Sequence, residues 1–200
     1  MQPQRQVLEA DSLGTRAMDN LRFIRETMER AGSFTAVPGV GGVLMGLVAL
    51  GGTAFAVTRN DVRAWMLGWI ATAVLALAVG LVAMLAKARR AGVPVGRGAG
   101  QSFTRSLCPP LAAGAVLTWA LYQAGTPQLL PGMWLLLYGV GILAAGAFSV
   151  PTVPLMGLCF LAAGTAALVA PASWGDAFMA AGFGGLQILF GVVIARRHGG

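Results

Sequence analysis

Charge is scarce in this sequence. Only 10% of its residues are Asp, Glu, Lys or Arg, against roughly 25% in an ordinary soluble domain. A soluble chain of 200 residues needs charged side chains over most of its surface, and this one lacks them. Histidine is scarcer still: His198 stands alone in a terminal RRHGG stretch, which excludes a histidine-rich metal centre and axial haem ligation within a bilayer. No lysine interrupts the long apolar runs, so a retinal-type Schiff base is excluded as well. The two cysteines, Cys108 and Cys159, are isolated within apolar runs, where they read as small packing residues and not as a disulfide framework. Glycine-rich stretches such as GVGG lack the strand–loop–helix context and the lysine of a phosphate loop. No catalytic, cofactor or metal constellation is visible, and an enzyme is not expected.

Hydrophobic residues, in contrast, make up 56% of the chain. They gather in six runs at 38–58, 64–86, 107–124, 133–150, 153–170 and 177–195, none of which contains Asp, Glu, Lys, Arg or His. At about 1.5 Å per residue, each is long enough to cross a hydrocarbon layer of roughly 30 Å. The expected fold class is therefore an all-α integral membrane protein, a six-transmembrane-helix bundle. Residues 1–37 form a cytoplasmic N-terminal segment, 38–195 the bundle, and 196–200 a cytoplasmic tail. The first 37 residues hold ten charges and no apolar core, so a cleavable secretory signal is not expected.

The net charge of +7 raises nucleic acid as a partner, but no zinc-ligand spacing or reading motif accompanies it. The basic residues instead set topology. With the N-terminus inside, Arg5, Arg16, Arg22, Arg25, Arg30, Lys87, Arg89, Arg90, Arg97, Arg105, Arg196 and Arg197 lie on the cytoplasmic side, and only Arg59 and Arg63 face out. Twelve against two is the bias of the positive-inside rule, and six spans return the C-terminus to the cytoplasm. A bacterial cytoplasmic (inner) membrane is the expected location.

Aromatic residues give a second asymmetry. Trp65, Trp69, Trp119, Tyr122, Trp134, Tyr138 and Trp174, which are all five Trp and both Tyr, fall in the outer half. An interfacial belt is the plain reading. A belt normally forms at both faces, so the one-sidedness also leaves room for a ligand or partner surface.

Within the spans the polar side chains are Thr53, Thr72, Thr118, Gln123, Thr165 and Gln187. Threonine commonly returns its hydroxyl to its own helix. Gln187 lies mid-span, is costlier to bury, and is expected to bond across a helix interface. Small residues at four-residue spacing, Gly42 with Gly46, Gly141 with Ala145, and Gly184 after Ala180, mark expected helix contacts.

Span one, PGVGGVLMGLVALGGTAFAV, matches span four, PGMWLLLYGVGILAAGAFSV, at eight of twenty positions. A three-helix unit repeated once would be a 3+3 inverted repeat, an architecture of secondary transporters. The second and third spans of each half align poorly, and no span carries the ionisable group that ion coupling generally needs.

Residues 15–31 are expected to form an amphipathic cytoplasmic helix. Ala17, Leu21, Ile24, Met28 and Ala31 make one apolar stripe, with Arg22–Glu26, Arg25–Glu29 and Glu26–Arg30 four apart on the solvated side. Leu21, Ile24 and Met28 are the candidate partner-binding face. The stretch DNLRFIRETMERAGSFTAVPG, followed by a Gly-rich span, resembles the start of an uncharacterised bacterial family of multi-span membrane proteins with a short N-terminal cytoplasmic helix. The resemblance covers the first quarter of the chain and implies inner-membrane placement, with no activity, cofactor or site.

Three function classes follow. The first is a membrane accessory or regulatory protein that contacts a protein partner, or another copy of itself, through the N-terminal helix and the basic 87–105 loop. The second is a small transporter or channel for an uncharged or lipophilic substrate. The third is a lipid, quinone or pigment-binding subunit that uses the outer aromatics.

Overall fold

The helices follow one another with short connections, as continuous apolar runs separated by Pro, Gly and Asp require. In the computed structural model they are α1 (Gly39–Ala56), α2 (Val62–Ala91), α3 (Gly98–Gln123), α4 (Leu130–Gly146) and α5 (Thr152–Val169). A sixth rod joins α6 (Gly175–Met179), a π-helical stretch (Ala180–Leu186) and α7 (Gln187–His198). The structure describes residues 34–92, 95–96 and 98–198, with Met18, Asn20 and Leu21. Among the described residues there is no β-strand, only one parallel bridge between Phe34 and Ser149.

Among the described residues, five helical segments are long and apolar enough to cross a membrane: Gly39–Ala56, Val62–Ala91, Pro127–Gly146, Thr152–Val169 and Ala172–Arg197. Their outer faces carry exposed apolar side chains such as Leu44, Leu67, Val74, Leu81, Leu155 and Leu189, a surface suited to lipid and not to water. The remaining helix, α3, is 26 residues long but less apolar, because it opens on GAGQSFTRS and holds Pro109 and Pro110. These prolines cannot donate to the carbonyls of Arg105 and Ser106.

Helix ends are set by identifiable residues. The Asp61 carboxylate accepts the Ala64 N–H at 2.8 Å and caps α2. Gly92, at φ 64°, closes the same helix in the left-handed conformation that glycine tolerates best.

One expectation at a helix end needs correction. The Val95–Ser102 stretch reads from sequence as a flexible loop, yet α3 begins at Gly98. Phe103 explains the early start: it is buried and lies 5.2 Å from the Phe34 ring, so burial extends the helix beyond the apolar run. Helix α7 continues through His198.

Glycines decide which helices approach. The closest pairing is α4 on α5. A Cβ on Gly157 would lie 2.6 Å from the Leu143 nitrogen, and one on Gly164 would lie 2.6 Å from the Leu136 nitrogen. Facing them, a Cβ on Gly139 would lie 2.8 Å from the Leu161 nitrogen. The second seam joins α1 to the sixth rod, where a Cβ on Gly46 would meet Ile188 Cγ1 at 2.5 Å and one on Gly191 the Val43 nitrogen at 2.7 Å. No ordinary side chain fits at these positions without moving backbone. Close backbone approach is what allows dispersion to hold helices together where lipid supplies no hydrophobic drive. Helix α2 packs chiefly on α1, and α3 on α4.

The two halves do not use their matching glycines alike. Gly46 and Gly139 occupy equivalent places in the span-one and span-four alignment. Gly46 nevertheless faces the sixth rod, whereas Gly139 faces α5.

Candidate functional site

The three loops 57–61, 124–129 and 170–174 meet at one end of the bundle, where a polar network is built on a single carboxylate. Asp176, in the first turn of α6, accepts the indole N–H of Trp65 at 2.8 Å and that of Trp69 at 3.3 Å on the same oxygen, Oδ1. Trp65 and Trp69 are four residues apart on α2, so one helix face offers both donors. Trp65 also stacks on Trp134 of α4, with ring centroids 5.7 Å apart and planes 8° from parallel. Trp134 in turn donates its N–H to the Thr118 hydroxyl of α3 at 2.8 Å, and Thr118 donates to the Gly114 carbonyl at 2.6 Å. The chain of contacts thus ties α2, α3, α4 and α6 together at this end.

Beside the network lies an open recess of about 410 Å³. Arg59, Asn60, Trp65, Gln128, Ser173 and Asp176 supply its polar and aromatic lining. The Arg59 guanidinium sits 4.1 Å from the centroid of the Phe55 ring. Among the described residues, no cation lies within ion-pair distance of Asp176.

A second polar contact is buried near mid-bundle. The Tyr138 hydroxyl of α4 donates to Gln187 Oε1 at 3.2 Å, and Gln187 Nε2 donates to the Met45 sulfur of α1 at 3.7 Å. Rings enclose the pair: Tyr138 lies edge-on to Phe160 at 4.8 Å and to Phe183 at 5.2 Å. Phe183 sits in the π-helical stretch AAGFGGL, and Gln187 follows it directly. The glycines there have little helix preference to lose, and a π turn re-aims the side chains that follow it.

At the opposite end, residues 34–38 lie across the base of the bundle. The Phe34 N–H donates to the Phe148 carbonyl at 2.7 Å, and the Ser149 hydroxyl donates to the Phe34 carbonyl at 2.8 Å. Lys87 Nζ donates to the Val37 carbonyl at 3.0 Å. Phe34 and Ala36 are fully buried, and the Phe34 ring packs on Phe103.

The structure thus brings together only some of the residues singled out by sequence. Trp65, Trp69 and Trp134 join one network, and Tyr138 meets Gln187 away from it. Trp119 and Trp174 are exposed, 67% and 58%, and Tyr122 is half-buried outside the network. Three of the seven aromatics spend their indole N–H groups on protein acceptors. Gly42, Gly46 and Gly184 lie at the α1–sixth rod seam or beside it, whereas Gly141 faces Leu107 and Pro110 of α3 and Ala145 is fully buried. The hydroxyls of Thr53, Thr72 and Thr165 bond back to their own helices. Leu21 is helical and exposed; Ile24, Met28 and the rest of 22–33 lie outside the described residues.

Sequence reasoning missed Asp176, Thr118 as an acceptor, Met45 and Phe34. A signal for Asp176 was present, since it is the only acid C-terminal to Asp61. The α4–α5 seam also had one, the seven-residue spacing of Gly132, Gly139 and Gly146 opposite Gly157 and Gly164. No protein-family model matches the chain, and no curated protein or solved structure matches it.

Proposed function

We propose that this chain is a six-span accessory or regulatory protein of the bacterial cytoplasmic membrane, with both termini inside, which contacts a protein partner through its N-terminal segment. The six-span placement draws support from the recess. Its lining comes from the α1–α2 loop, the α3–α4 loop and the loop before α6, so α3 returns from the far end of α2 to the end where α2 began. If α2 crosses the bilayer, α3, about 39 Å long at 1.5 Å per residue, crosses it too. The protein then tolerates the lower apolarity of α3 because Gly114 and Thr118 face α4 and the Arg105 end reaches the headgroups.

The observation that carries the partner reading is the clamp on residues 34–38. Hydrogen bonds from α2 and the α4–α5 turn, with the buried Phe34 ring, fix the chain at residues 34–37 on this end of the bundle. We infer that anchoring at this point, on the end of the bundle that carries Lys87, Arg89 and Arg90, serves the partner contact of the N-terminal segment. The inverted repeat is not part of the proposal, since equivalent glycines serve different seams.

The test is photo-crosslinking in native membranes, with a photoactivatable residue in place of Leu21 and, as a control, of Leu67 on the lipid-facing side of α2. A discrete protein adduct at position 21 and lipid adducts alone at position 67 are expected. Lipid adducts alone at both positions contradict the partner role.

A further inference from the structure

The recess at the tryptophan end has features that its structural role leaves unused. Asp176 and Arg59 both line it, yet they form no ion pair with each other. Asp176 Oδ1 takes both indole N–H groups, while Oδ2 has no protein donor among the described residues. A carboxylate accepts at about four lone-pair sites, so half of this one's capacity is open. Asn60, Gln128 and Ser173 also line the recess, and their side chains make no hydrogen bond among the described residues. The Trp65 ring is held on one side by Trp134 and at its N–H by Asp176, which fixes it as wall. Asp176 and Arg59 line one open recess without pairing, so each can meet an opposite charge carried by a single ligand. The recess is open and about 410 Å³ in volume, room for a small polar group and not for a whole lipid.

We propose that this recess binds a zwitterionic amino-phosphate group, its ammonium held by Asp176 beside Trp65 and its anion held by Arg59. Asp176 supplies the charge-assisted acceptor, Arg59 a forked donor suited to phosphate or carboxylate, and the indole wall an aromatic surface that favours an organic cation. Asn60, Gln128 and Ser173 take up the remaining donors and acceptors. Such a group comes either as a phospholipid headgroup or as a free soluble molecule, and the shared chemistry is the same. The site does not depend on a protein partner at the other end of the bundle; it shares with that reading only the placement of this end at a membrane surface.

The test uses the full-length protein in detergent, with tryptophan emission and calorimetry as readouts. Four probes are titrated: short-chain phosphatidylethanolamine, glycerophosphoethanolamine, glycerol phosphate and short-chain diacylglycerol. Saturable binding of a zwitterionic probe is expected. Asp176→Asn weakens it by roughly ten-fold or more and leaves glycerol phosphate unchanged, whereas Arg59→Gln weakens both. Arg59 is exposed on the loop after α1, so the second variant remains informative if the first folds poorly. Equal affinity for glycerophosphoethanolamine and the lipid identifies a soluble-ligand site, and binding of the lipid alone identifies a headgroup site; either supports the proposal. Absence of saturable binding by both zwitterions overturns it, as does equal competition by diacylglycerol or unchanged affinity in both variants.

Discussion

Asp176 shows how much one side chain can organise in an apolar protein. It holds two indole N–H groups on one oxygen and so fixes the α2 face against α6. Removing the acceptor leaves two donors unsatisfied, at a cost of about 1–3 kcal/mol each where water does not replace the carboxylate. Asp176→Ala is therefore expected to lower the unfolding temperature in detergent and shift tryptophan emission to longer wavelength, with Asp176→Asn intermediate because an amide oxygen still accepts. Gln187 is the matching case at mid-bundle. Gln187→Leu strands the Tyr138 hydroxyl, and Tyr138→Phe strands the glutamine oxygen. A double-mutant cycle is expected to return a coupling of about 0.6–1.7 kcal/mol, and additive losses would show that the 3.2 Å contact contributes nothing. That Gln187 needs a partner was legible from its type and place in an apolar run. That the partner is a tyrosine 49 residues earlier was not, because it depends on the helix crossing.

At the scale of elements, chain chemistry and packing divide the work. The apolar runs were legible because a span needs about 20 consecutive apolar residues, a length that can be read directly from the chain. Their ends were less so. Helix α3 starts at Gly98 because Phe103 packs under Phe34, a tertiary contact that hydropathy does not encode. The π-helical stretch was illegible, since AAGFGGL has no period to break. The glycine seams were half legible: four-residue spacing marks the α1–sixth rod contact, whereas the α4–α5 seam rests on a seven-residue spacing. The seams make a sharp comparison. Gly157→Leu places a side chain against the Leu143 backbone and is expected to cost about 1–3 kcal/mol or more, whereas Gly51, with nothing within 4 Å of its Cβ position, accepts leucine at little cost. Unfolding by denaturing detergent reads both, and equal stability of the two variants would contradict the α4–α5 contact.

Over the whole molecule, the two ends carry different duties. One gathers indoles, a carboxylate and an open recess; the other has Lys87 bonded to the clamped 34–38 segment, with Arg89 and Arg90 in the same last helical turns. Phe34→Ala removes the buried ring while the backbone hydrogen bonds remain available. Faster protease cleavage between residues 22 and 33 is expected, with helix content unchanged; an unaltered rate would show that the ring does not secure the 34–38 segment. The placement of these ends across a membrane is the central claim, and substituted-cysteine labelling tests it most directly. With Cys108 and Cys159 replaced by alanine, Asn60→Cys, Gln128→Cys and Ser173→Cys are expected to react with a membrane-impermeant maleimide in intact cells, and Gly96→Cys only after permeabilisation. Labelling of positions 60 and 128 from opposite sides would mean that α3 does not cross, and would contradict the six-span account.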